Sequence, residues 1–406
     1  MKQFEIPAFY RSPIISKVKA RRKLDDPRKQ DFSPTRLQFP KVEFIIARHF
    51  GFCYGVENAI EKSYKAIQEH PDKRIFLLSQ MIHNPDVNED LSAQGIQFLQ
   101  TPEGAQLIPF SELHANDIVI IPAFGTTVAI AEEIRSTGAN IDSYNTTCPF
   151  VEKVWNRSQK LGETDHTVII HGKFDHEETR ATFSRSYQRA PSLIVKNLSE
   201  AKILGAVISG EKTTAEFHTY FEGKYSQGFT PELHLNKIGV VNQTTMLASE
   251  TQEITDYLRG VLLQKYGEAT IKNHMADTRD TLCYATNDNQ SSTYALAETA
   301  PDMAIVVGGY NSSNTTHLVE ILEQYAPTYF IKGSSEIITK DEIHSFNIHK
   351  NIMETREFLP QKSPIKIAIT SGASCPDAIV DRVISRILEL LEESTSLEEV
   401  FSAQNQ

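Results

Sequence analysis

Cysteine is scarce in this chain of 406 residues, and the spacing of the few cysteines excludes several classes of protein. The four cysteines lie far apart, with no CxxC pair among them, at positions 53, 148, 283 and 375. Disulfide-stapled domains are far richer in cysteine, and zinc ribbons and thioredoxin-like sites need cysteine pairs. The sequence therefore favours a protein of a reducing compartment.

Long apolar runs and an excess of positive charge are also missing. No stretch reaches the roughly 18 apolar residues that span a membrane, and no secretory signal is apparent near the start. The chain has 52 acidic and 41 basic residues, and its net charge of −11 argues against general binding of nucleic acid. An anionic ligand must then be held by a local group of hydrogen-bond donors.

Three of the cysteines share a local setting. Cys53, Cys148 and Cys283 each lie in a turn that opens a predicted amphipathic helix, in GFCYGVENAI, NTTCPFVEKVW and DTLCYATNDNQ. Singly, each is well explained as a buried, unreactive thiol. Together they could converge on one metal centre, because three thiolates bind an iron–sulfur cluster and leave one iron of a cubane without a protein ligand. An open iron invites a substrate, which predicts an enzyme and not only an electron carrier.

The chain from Val42 onwards has the strand–turn–helix rhythm of an α/β fold. Short apolar runs alternate with helical patterns, which predicts layers of helices on mostly parallel sheets. These runs begin at residues 42, 75, 118, 167, 193, 238, 303 and 365. The cysteine spacing suggests three similar α/β units, residues 41–148, 149–272 and 273–393, and the first strand could join the third unit.

Other segments stand apart from this rhythm. Residues 1–40 are polar and rich in Lys and Arg, which predicts an extended or partly disordered arm. Residues 205–236 are the least regular stretch and are interpreted as an insertion or excursion in the second unit. A final helix is expected from Asp377 to about residue 393, followed by a tail of residues 394–406.

Polar turns follow three of the predicted strands. Residues 309–314, 371–376 and 242–245 each place Ser, Thr or Asn where a strand ends, mostly ahead of a helix. Free backbone N–H groups at a helix start can bind an anion, although helix capping alone also explains such residues. Because ligands gather at the carboxyl ends of parallel strands, these turns predict one polar cavity.

The densest ionisable cluster is the segment HGKFDHEE, residues 171–178. A histidine there can donate to phosphate, and a desolvated carboxyl group can hold a proton at neutral pH. The alternative is a solvated loop. A single-histidine turn at His83 is similar but weaker.

Taken in order, these segments resemble the IspH/LytB family, the 4-hydroxy-3-methylbut-2-enyl diphosphate reductases of isoprenoid biosynthesis. The resemblance implies a pseudo-threefold arrangement of three α/β units around a central, oxygen-sensitive [4Fe–4S] cluster. The matching segments cover about residues 40–380: GFCYGVENAI, IHNPDV, TTCPFVEKVW, DHEETRAT, QTTM, DTLCYATNDNQ, VVGGYNSSNTTHLVEI and TSGASCPD.

The resemblance also implies residue roles. Cys53, Cys148 and Cys283 match the three cluster ligands, and one iron stays open. Glu178 matches the glutamate that delivers a proton, and Thr244 matches a threonine near the substrate hydroxyl. The residues expected to hold the substrate diphosphate are His83, His176, Thr245, Ser312, Ser313, Asn314 and Ser374.

The implied reaction is the reductive removal of the allylic hydroxyl, the last step of the methylerythritol phosphate (non-mevalonate) pathway. Its products are isopentenyl diphosphate and dimethylallyl diphosphate, and its electron donor is ferredoxin or flavodoxin. No nucleic acid or membrane partner is expected. Acidic residues in the first 40 positions count against a transit peptide and favour a cytoplasmic, bacterial-type protein over a plastid one.

The chain departs from the family pattern at several positions. Phe124 stands where many members have a histidine, and Asn242 replaces a threonine. Residues 1–40 and 205–236 have no counterpart in the shorter members. Cys375 follows Ser374 and is expected not to bind the cluster, because a fourth thiolate would fill the position that the substrate needs.

Two other classes of function remain open on the sequence alone. A non-redox iron–sulfur lyase of the quinolinate-synthase type would also pair three cysteines with three α/β units. Its carboxylate-rich substrate calls for Arg clamps, whereas the polar turns here offer Ser, Thr, Asn and His. An iron–sulfur sensor would not require an acidic group beside the open iron.

Overall fold

The computed structural model describes residues 4–28, 30–277, 281–395 and 399–400. The chain forms two compact units. The terminal unit contains residues 1–57, 83–87 and 284–406, and the central unit contains residues 58–82 and 88–283. None of the described helices has the length and apolar character that crossing a membrane requires.

The strands of the described chain are numbered in order. They are β1 Thr35–Gln38, β2 Val42–Ile46, β3 Ile75–Leu77, β4 Gln97–Phe98, β5 Ile118–Ile120, β6 Thr167–His171, β7 Ser192–Val195, β8 Ile238–Asn242, β9 Met303–Val307, β10 Thr328–Ile331, β11 Glu342–Asn347, β12 Ile352–Glu357 and β13 Ile365–Ser371.

The helices are numbered in the same way. They are α1 Pro13–Asp25, α2 Tyr54–Glu69, α3 Pro85–Ala93, α4 Val128–Ser136, α5 Pro149–Gly162, α6 Glu177–Ser186, α7 Leu198–Ser209, α8 Thr214–Tyr220, α9 Pro231–His234, α10 Ala248–Tyr266, α11 Ile271–His274, α12 Tyr284–Ala297, α13 Ser313–Leu322 and α14 Asp377–Leu390. Short 3₁₀ helices occur at Ala8–Tyr10, Phe110–Glu112 and Ser334–Glu336.

The terminal unit is built on one five-stranded sheet in the order β1-β2-β13-β9-β10. The pairs β2–β13, β13–β9 and β9–β10 are parallel, and β1 is an antiparallel edge strand. Every residue of β9 is buried, as expected of a parallel strand covered on both faces. Strand β2 therefore lies in the sheet of the third predicted unit. Strands β11 and β12 form a separate antiparallel hairpin.

The central unit holds two three-stranded parallel sheets, in the orders β4-β3-β5 and β7-β6-β8. Each has its own core. Phe76, Val119 and Ile134 are buried around the first sheet, and Ile169, Leu204 and Leu258 around the second. With the sheet of the terminal unit, the described chain thus has three sheets with parallel strands, and the prediction of an α/β fold is confirmed.

The structure confirms the predicted strands, the final helix and the helices that follow the three cysteines. All eight predicted apolar runs are strands, and α14 occupies the range expected for the final helix. Helices α2, α5 and α12 each begin one residue after Cys53, Cys148 and Cys283. The three cysteines therefore do occupy turns that open helices.

The prediction of an extended or partly disordered arm over residues 1–40 is wrong, because residues 13–25 form helix α1. The Ser12 side chain accepts hydrogen bonds from the N–H groups of Ile14 and Ile15 and so caps the helix. Ile15 and Val18 are buried, and Lys19 forms an ion pair with Asp377 at 2.7 Å. Tertiary packing and a strong cap therefore override the polar composition.

Residues 205–236 are also more regular than predicted. They contain the end of α7 and helices α8 and α9, and α8 begins with a capping box of Thr213 and Glu216. Phe217, Phe221 and Phe229 are buried in the core of the β7-β6-β8 sheet, so three buried aromatic rings stabilise the segment. The predicted tail, residues 394–406, lies mostly outside the described residues.

Candidate functional site

The terminal unit contains six of the predicted site residues. They lie at the start of α13 after β9, in the turn after β13, in the turn before α2, and in the segment 83–87. Because the two strands are adjacent and parallel, their carboxyl ends meet at one edge of the sheet. The six residues are Cys53, His83, Ser312, Ser313, Asn314 and Ser374.

Direct contacts tie these turns together. The Ser374 hydroxyl donates to the His83 carbonyl oxygen at 3.2 Å, and the Cys53 N–H donates to the Ala373 carbonyl oxygen at 3.2 Å. Gly309 lies against the His83 carbonyl so closely that a Cβ atom at this position would clash. The segment carrying His83 is thus held beside the two strand ends.

Asn314 is oriented as a donor. Its Oδ1 accepts the Ala373 N–H at 2.9 Å, which fixes the amide and leaves Nδ2 to donate. The residue is only 3% exposed, and its Nδ2 has no hydrogen-bond partner among the described residues. A buried N–H₂ group without an acceptor is costly, so this geometry suits an anionic oxygen.

Ser312 is the N-cap of α13, as the capping alternative expected. Its Oγ accepts the Thr315 N–H at 3.3 Å and the Thr315 hydroxyl at 2.9 Å. Ser313 is the first residue of the helix and is buried. A role of both serines in anion binding stays a prediction.

The central unit contains the other six predicted residues, which are Cys148, His176, Glu178, Thr244, Thr245 and Cys283. Cys148 is the N-cap position of α5, but its side chain makes no capping hydrogen bond. The Cys283 N–H donates to the Thr244 carbonyl oxygen at 3.4 Å. One cysteine turn of this unit is therefore attached directly to the turn after β8.

Glu178 and Thr244 form a buried pair. The Thr244 N–H donates to Glu178 Oε1 at 2.5 Å, and the Thr244 hydroxyl donates to Oε2 at 2.9 Å. Glu178 is 1% exposed, and this burial raises its pKa to about 7 although both hydrogen bonds from Thr244 lower it. The carboxyl group is therefore divided between its acidic and ionised forms at neutral pH.

The alternative of a solvated loop at residues 171–178 is wrong for most of the ionisable side chains in this segment. His171, Glu177 and Glu178 are buried, and only Phe174 and Asp175 are exposed. His176 caps α6: its Nδ1 accepts the Glu178 N–H at 3.2 Å. In the neutral ring this bond places the proton on Nε2, so His176 presents an N–H donor.

Thr245 is held by a polar network of its own. Its Oγ1 accepts a hydrogen bond from Gln243 Nε2 at 2.7 Å, and Gln243 Oε1 accepts the Thr179 hydroxyl at 2.9 Å. Since its oxygen serves as acceptor here, the Thr245 hydroxyl proton can be donated elsewhere.

Comparison with known proteins decides the family. The family model described as LytB protein matches residues 44–388. The chain belongs to the LytB family. The 4-hydroxy-3-methylbut-2-enyl diphosphate reductase of Synechococcus sp. (strain ATCC 27144) is 39% identical over 358 residues, 87% of each chain. That of Thermosynechococcus vestitus is 37% identical over 389 residues, 95% of this chain and 91% of the relative. These matches do not favour the lyase or the sensor.

Two solved structures share the fold of this LytB-family chain. One is an (E)-4-hydroxy-3-methyl-but-2-enyl diphosphate reductase, the terminal enzyme of the non-mevalonate pathway, with TM-score 0.52, 23% identity, and coverage of 86% of this chain and 99% of that one. The other is the E-1-hydroxy-2-methyl-but-2-enyl-4-diphosphate reductase of Plasmodium falciparum, with TM-score 0.61, 21% identity, and coverage of 86% and 89%.

Membership of the LytB family implies an iron–sulfur cluster, and its cysteine ligands stay a prediction. Burial raises the pKa of Cys148 to about 12, and nearby Cys283 and Glu178 raise it too. Such a thiol stays protonated unless a metal ion replaces the proton. By contrast, Cys375 is fully buried, where burial raises its pKa strongly, as expected of an unreactive thiol. Among the described residues, no three His, Cys, Asp or Glu side chains form a ready-made metal site.

Two features of this LytB-family chain were not predicted from the sequence. Phe124 packs edge-on against the His176 ring, with centroids 5.6 Å apart, so the residue that replaces a family histidine contacts a predicted diphosphate ligand. Helix α1 brings basic residues to the Cys53 region, and Ser12 followed by Pro13 was the signal that could have revealed it.

The raised pKa of Glu178 predicts that the stability of Glu178→Gln relative to the wild type rises with pH. Its folded-state pKa of about 7 lies above the ordinary value of 4.5, so unfolding is favoured as pH rises between these values. The melting temperature of the variant minus that of the wild type should therefore rise from about pH 4.5 to 7 and stay constant above pH 7. The limiting effect is of the order of 3 kcal/mol.

Glu216→Gln is a control in which the replaced carboxyl group has a lowered pKa in place of a raised one. Hydrogen bonds from Thr213 and Lys212 lower the pKa of Glu216 to about 2, so its contribution to stability is lost as pH falls. This variant should melt below the wild type at neutral pH. If the melting temperatures of the wild type and of Glu178→Gln changed with pH in the same way, the raised pKa of Glu178 would be contradicted.

Proposed function

We propose that this protein is a 4-hydroxy-3-methylbut-2-enyl diphosphate reductase. It removes the allylic hydroxyl of the substrate with two electrons and two protons, releases water, and yields isopentenyl and dimethylallyl diphosphates. The observation that carries the proposal is the buried Glu178–Thr244 pair in the unit of Cys148 and Cys283. We also place it in a cytoplasm of bacterial type, since the Synechococcus and Thermosynechococcus reductases named above are bacterial proteins.

The cofactor of the proposal is one [4Fe–4S] cluster. Cys53, Cys148 and Cys283 would hold it and leave one iron open. When bound, it supplies electrons and a Lewis-acidic iron for the substrate oxygen. The electrons come from ferredoxin or flavodoxin in this proposal.

Glu178 is the proposed proton donor. Hydroxide is a poor leaving group, so its departure as water requires a proton. A carboxyl group with a pKa of about 7 is protonated often enough at neutral pH to give that proton, and acidic enough to release it. The Thr244 hydroxyl, hydrogen-bonded to Glu178 Oε2, orients the donor and can relay its proton.

The substrate diphosphate would be bound by neutral donors for the most part. In the terminal unit these are His83, Ser312, Ser313, Asn314 and Ser374, and the buried Asn314 Nδ2 supports the assignment most directly. In the central unit they are His176, through Nε2–H, and Thr245. Such local donors are what a chain of net charge −11 needs to hold an anion.

Anaerobic purification tests the function. The protein should contain iron and sulfide in equal amounts, about four of each per chain, and should reduce the hydroxylated diphosphate with a chemical reductant. Both products should appear. A protein that holds the cluster but does not consume the substrate would overturn the assignment.

Glu178→Gln tests the proton donor. Turnover should fall by a factor of about 10² to 10⁴, because the amide cannot donate a carboxyl proton. Binding of the diphosphate should be retained, since Glu178 is not among its predicted donors. Such a result would exclude a sensor, whereas unchanged turnover would remove Glu178 from the mechanism.

Phe124→His tests the departure from the family pattern. If Asn314, Ser312, His83 and His176 bind the diphosphate, an added histidine should change KM by about a factor of ten or less. The measurement is steady-state kinetics with the chemical reductant. A loss of kcat by orders of magnitude would show that the contact of Phe124 with His176 is needed for catalysis.

A further inference from the structure

Asn242 departs from the family pattern, and the proposed reaction gives it no role. It is the last residue of β8 and is only 1% exposed. Strand β8 lies at the edge of its three-stranded sheet, so only one side of its backbone is paired with β6. The Asn242 N–H therefore needs an acceptor from another segment, because a buried N–H group without a partner is costly.

Thr281 supplies this acceptor and two donors. Its hydroxyl accepts the Asn242 N–H at 3.0 Å and donates to Asn242 Oδ1. The Thr281 N–H donates to the same Oδ1 at 3.2 Å. Three hydrogen bonds thus join two buried residues that are 39 positions apart in the sequence.

An asparagine side chain is suited to this junction. Its Oδ1 has two lone pairs for the two Thr281 donors, and its Nδ2 donates to the Gln243 carbonyl oxygen at 3.0 Å. The bond to Gln243 fixes which end of the amide points at Thr281. A threonine at position 242 has no amide donor and carries its oxygen closer to the backbone, so it could not form the same set of bonds.

The junction holds the turn that contains Cys283. Thr281 lies two residues before Cys283, whose N–H donates to the Thr244 carbonyl oxygen at 3.4 Å. Because that bond is long, the three bonds between Asn242 and Thr281 are the stronger attachment of this turn.

The residues that follow Asn242 bind other parts of the site. Gln243 accepts the Thr179 hydroxyl of α6 at 2.9 Å, and Thr244 donates its N–H and its hydroxyl to Glu178. Three successive residues at the end of β8 thus bind the cysteine turn, helix α6 and the buried carboxyl group. One strand end therefore holds a proposed cluster ligand and the proposed proton donor together.

We propose that Asn242 is a positioning residue of the reductase, which through Thr281 holds Cys283 at a fixed place relative to the Glu178–Thr244 pair. The inference rests on the proposed function, because a cluster bound at Cys283 is what gives this placement a chemical purpose. Asn242 and Thr281 are not donors to the diphosphate in this proposal. They fix a geometry on which the rate depends steeply, since a misplacement of about 1 Å can cost a factor of about 10².

Thr281→Val tests the positioning in the anaerobically purified holoenzyme, because valine has nearly the shape of threonine and lacks the hydroxyl. The kcat per bound cluster should fall about ten- to a hundredfold. The KM for the hydroxylated diphosphate should stay within about threefold, since neither residue of the junction is a predicted diphosphate donor. Thr281→Ser keeps the hydroxyl and should restore kcat to near the wild-type value. An unchanged kcat per cluster in Thr281→Val would overturn the proposal.

The metal-free protein gives a readout that does not depend on turnover. Without the junction the cysteine turn should open more often, so iodoacetamide should alkylate Cys283 about three- to tenfold faster in Thr281→Val. Mass spectrometry of the peptides measures the rate, with Cys53 as the internal reference. Equal rates at Cys283 in the variant and the wild type would also overturn the proposal.

Thr167→Val is the matched control. Thr167 is buried at the start of β6, and its hydroxyl donates to the His234 carbonyl oxygen, so the same substitution removes a buried hydrogen bond at the other end of the sheet. It should lower the melting temperature, as Thr281→Val does, and leave both the kcat per cluster and the alkylation of Cys283 unchanged. If it lowered the kcat per cluster as much as Thr281→Val, the effect would be one of general stability and the positioning role would fail.

Asn242→Ala removes the other half of the junction. Because Asn242 and Thr281 act through the same hydrogen bonds, the variant with both substitutions should lose no more kcat per cluster than the more impaired single variant. Losses that multiply in the double variant would show that the two residues act separately, against the proposal.

Turnover by the wild type separates this proposal from the proposed function. A wild type that holds a cluster and does not reduce the substrate would contradict the reductase function. Wild-type turnover, together with normal kcat per cluster and normal alkylation of Cys283 in Thr281→Val, would contradict only the positioning role.

Discussion

A carboxyl group that is buried away from water must be protonated or must accept hydrogen bonds, and Glu178 combines both. Burial favours the neutral acid, and the two hydrogen bonds from Thr244 favour the anion. Because these influences oppose each other, the pKa comes to rest near 7, where a proton can be both held and released. The chemistry proposed here depends on that balance.

The fold supplies this balance through turns at the ends of parallel strands. Thr244 follows β8, and Glu178 lies in the first turn of α6 just after β6, which is paired with β8. The same logic operates in the terminal unit, where Ser312 follows β9 and Ser374 follows β13. Side chains on such turns are positioned by the sheet register, so their geometry is set by the core and not by loop flexibility.

Much of this could be predicted from the sequence, for identifiable reasons. Runs such as MAIVV and IGVV are buried on both faces, and apolar composition reports that burial directly. The three cysteine turns and the polar turns have local signals in Gly, Pro, Ser and Asn. Helix α1 and residues 205–236 were not predicted correctly because their stability comes from distant contacts. Ile15 lies in the core of the five-stranded sheet, and Phe217 lies in the core of the β7-β6-β8 sheet.

In the site too, the residue types could be read from the sequence, whereas the contacts between distant residues could not. The residue types at Glu178 and Thr244 could be matched to a family, but the hydrogen bonds that lower the pKa of Glu178 against the effect of burial join positions 66 residues apart. The contact between Phe124 and His176 joins different segments too. No pattern within a single stretch of sequence encodes such pairs.

Helix α1 has a consequence for shortened forms of this protein. Lys19 neutralises Asp377, and the Ser12 hydroxyl bonds the largely buried Asp381, so both carboxylates at the beginning of α14 depend on the amino-terminal segment. Removal of residues 1–25 would leave these two acidic groups without those partners, directly behind the turn that carries Ser374. A form of this protein that begins after α1 would need other donors for these two carboxylates at the start of α14.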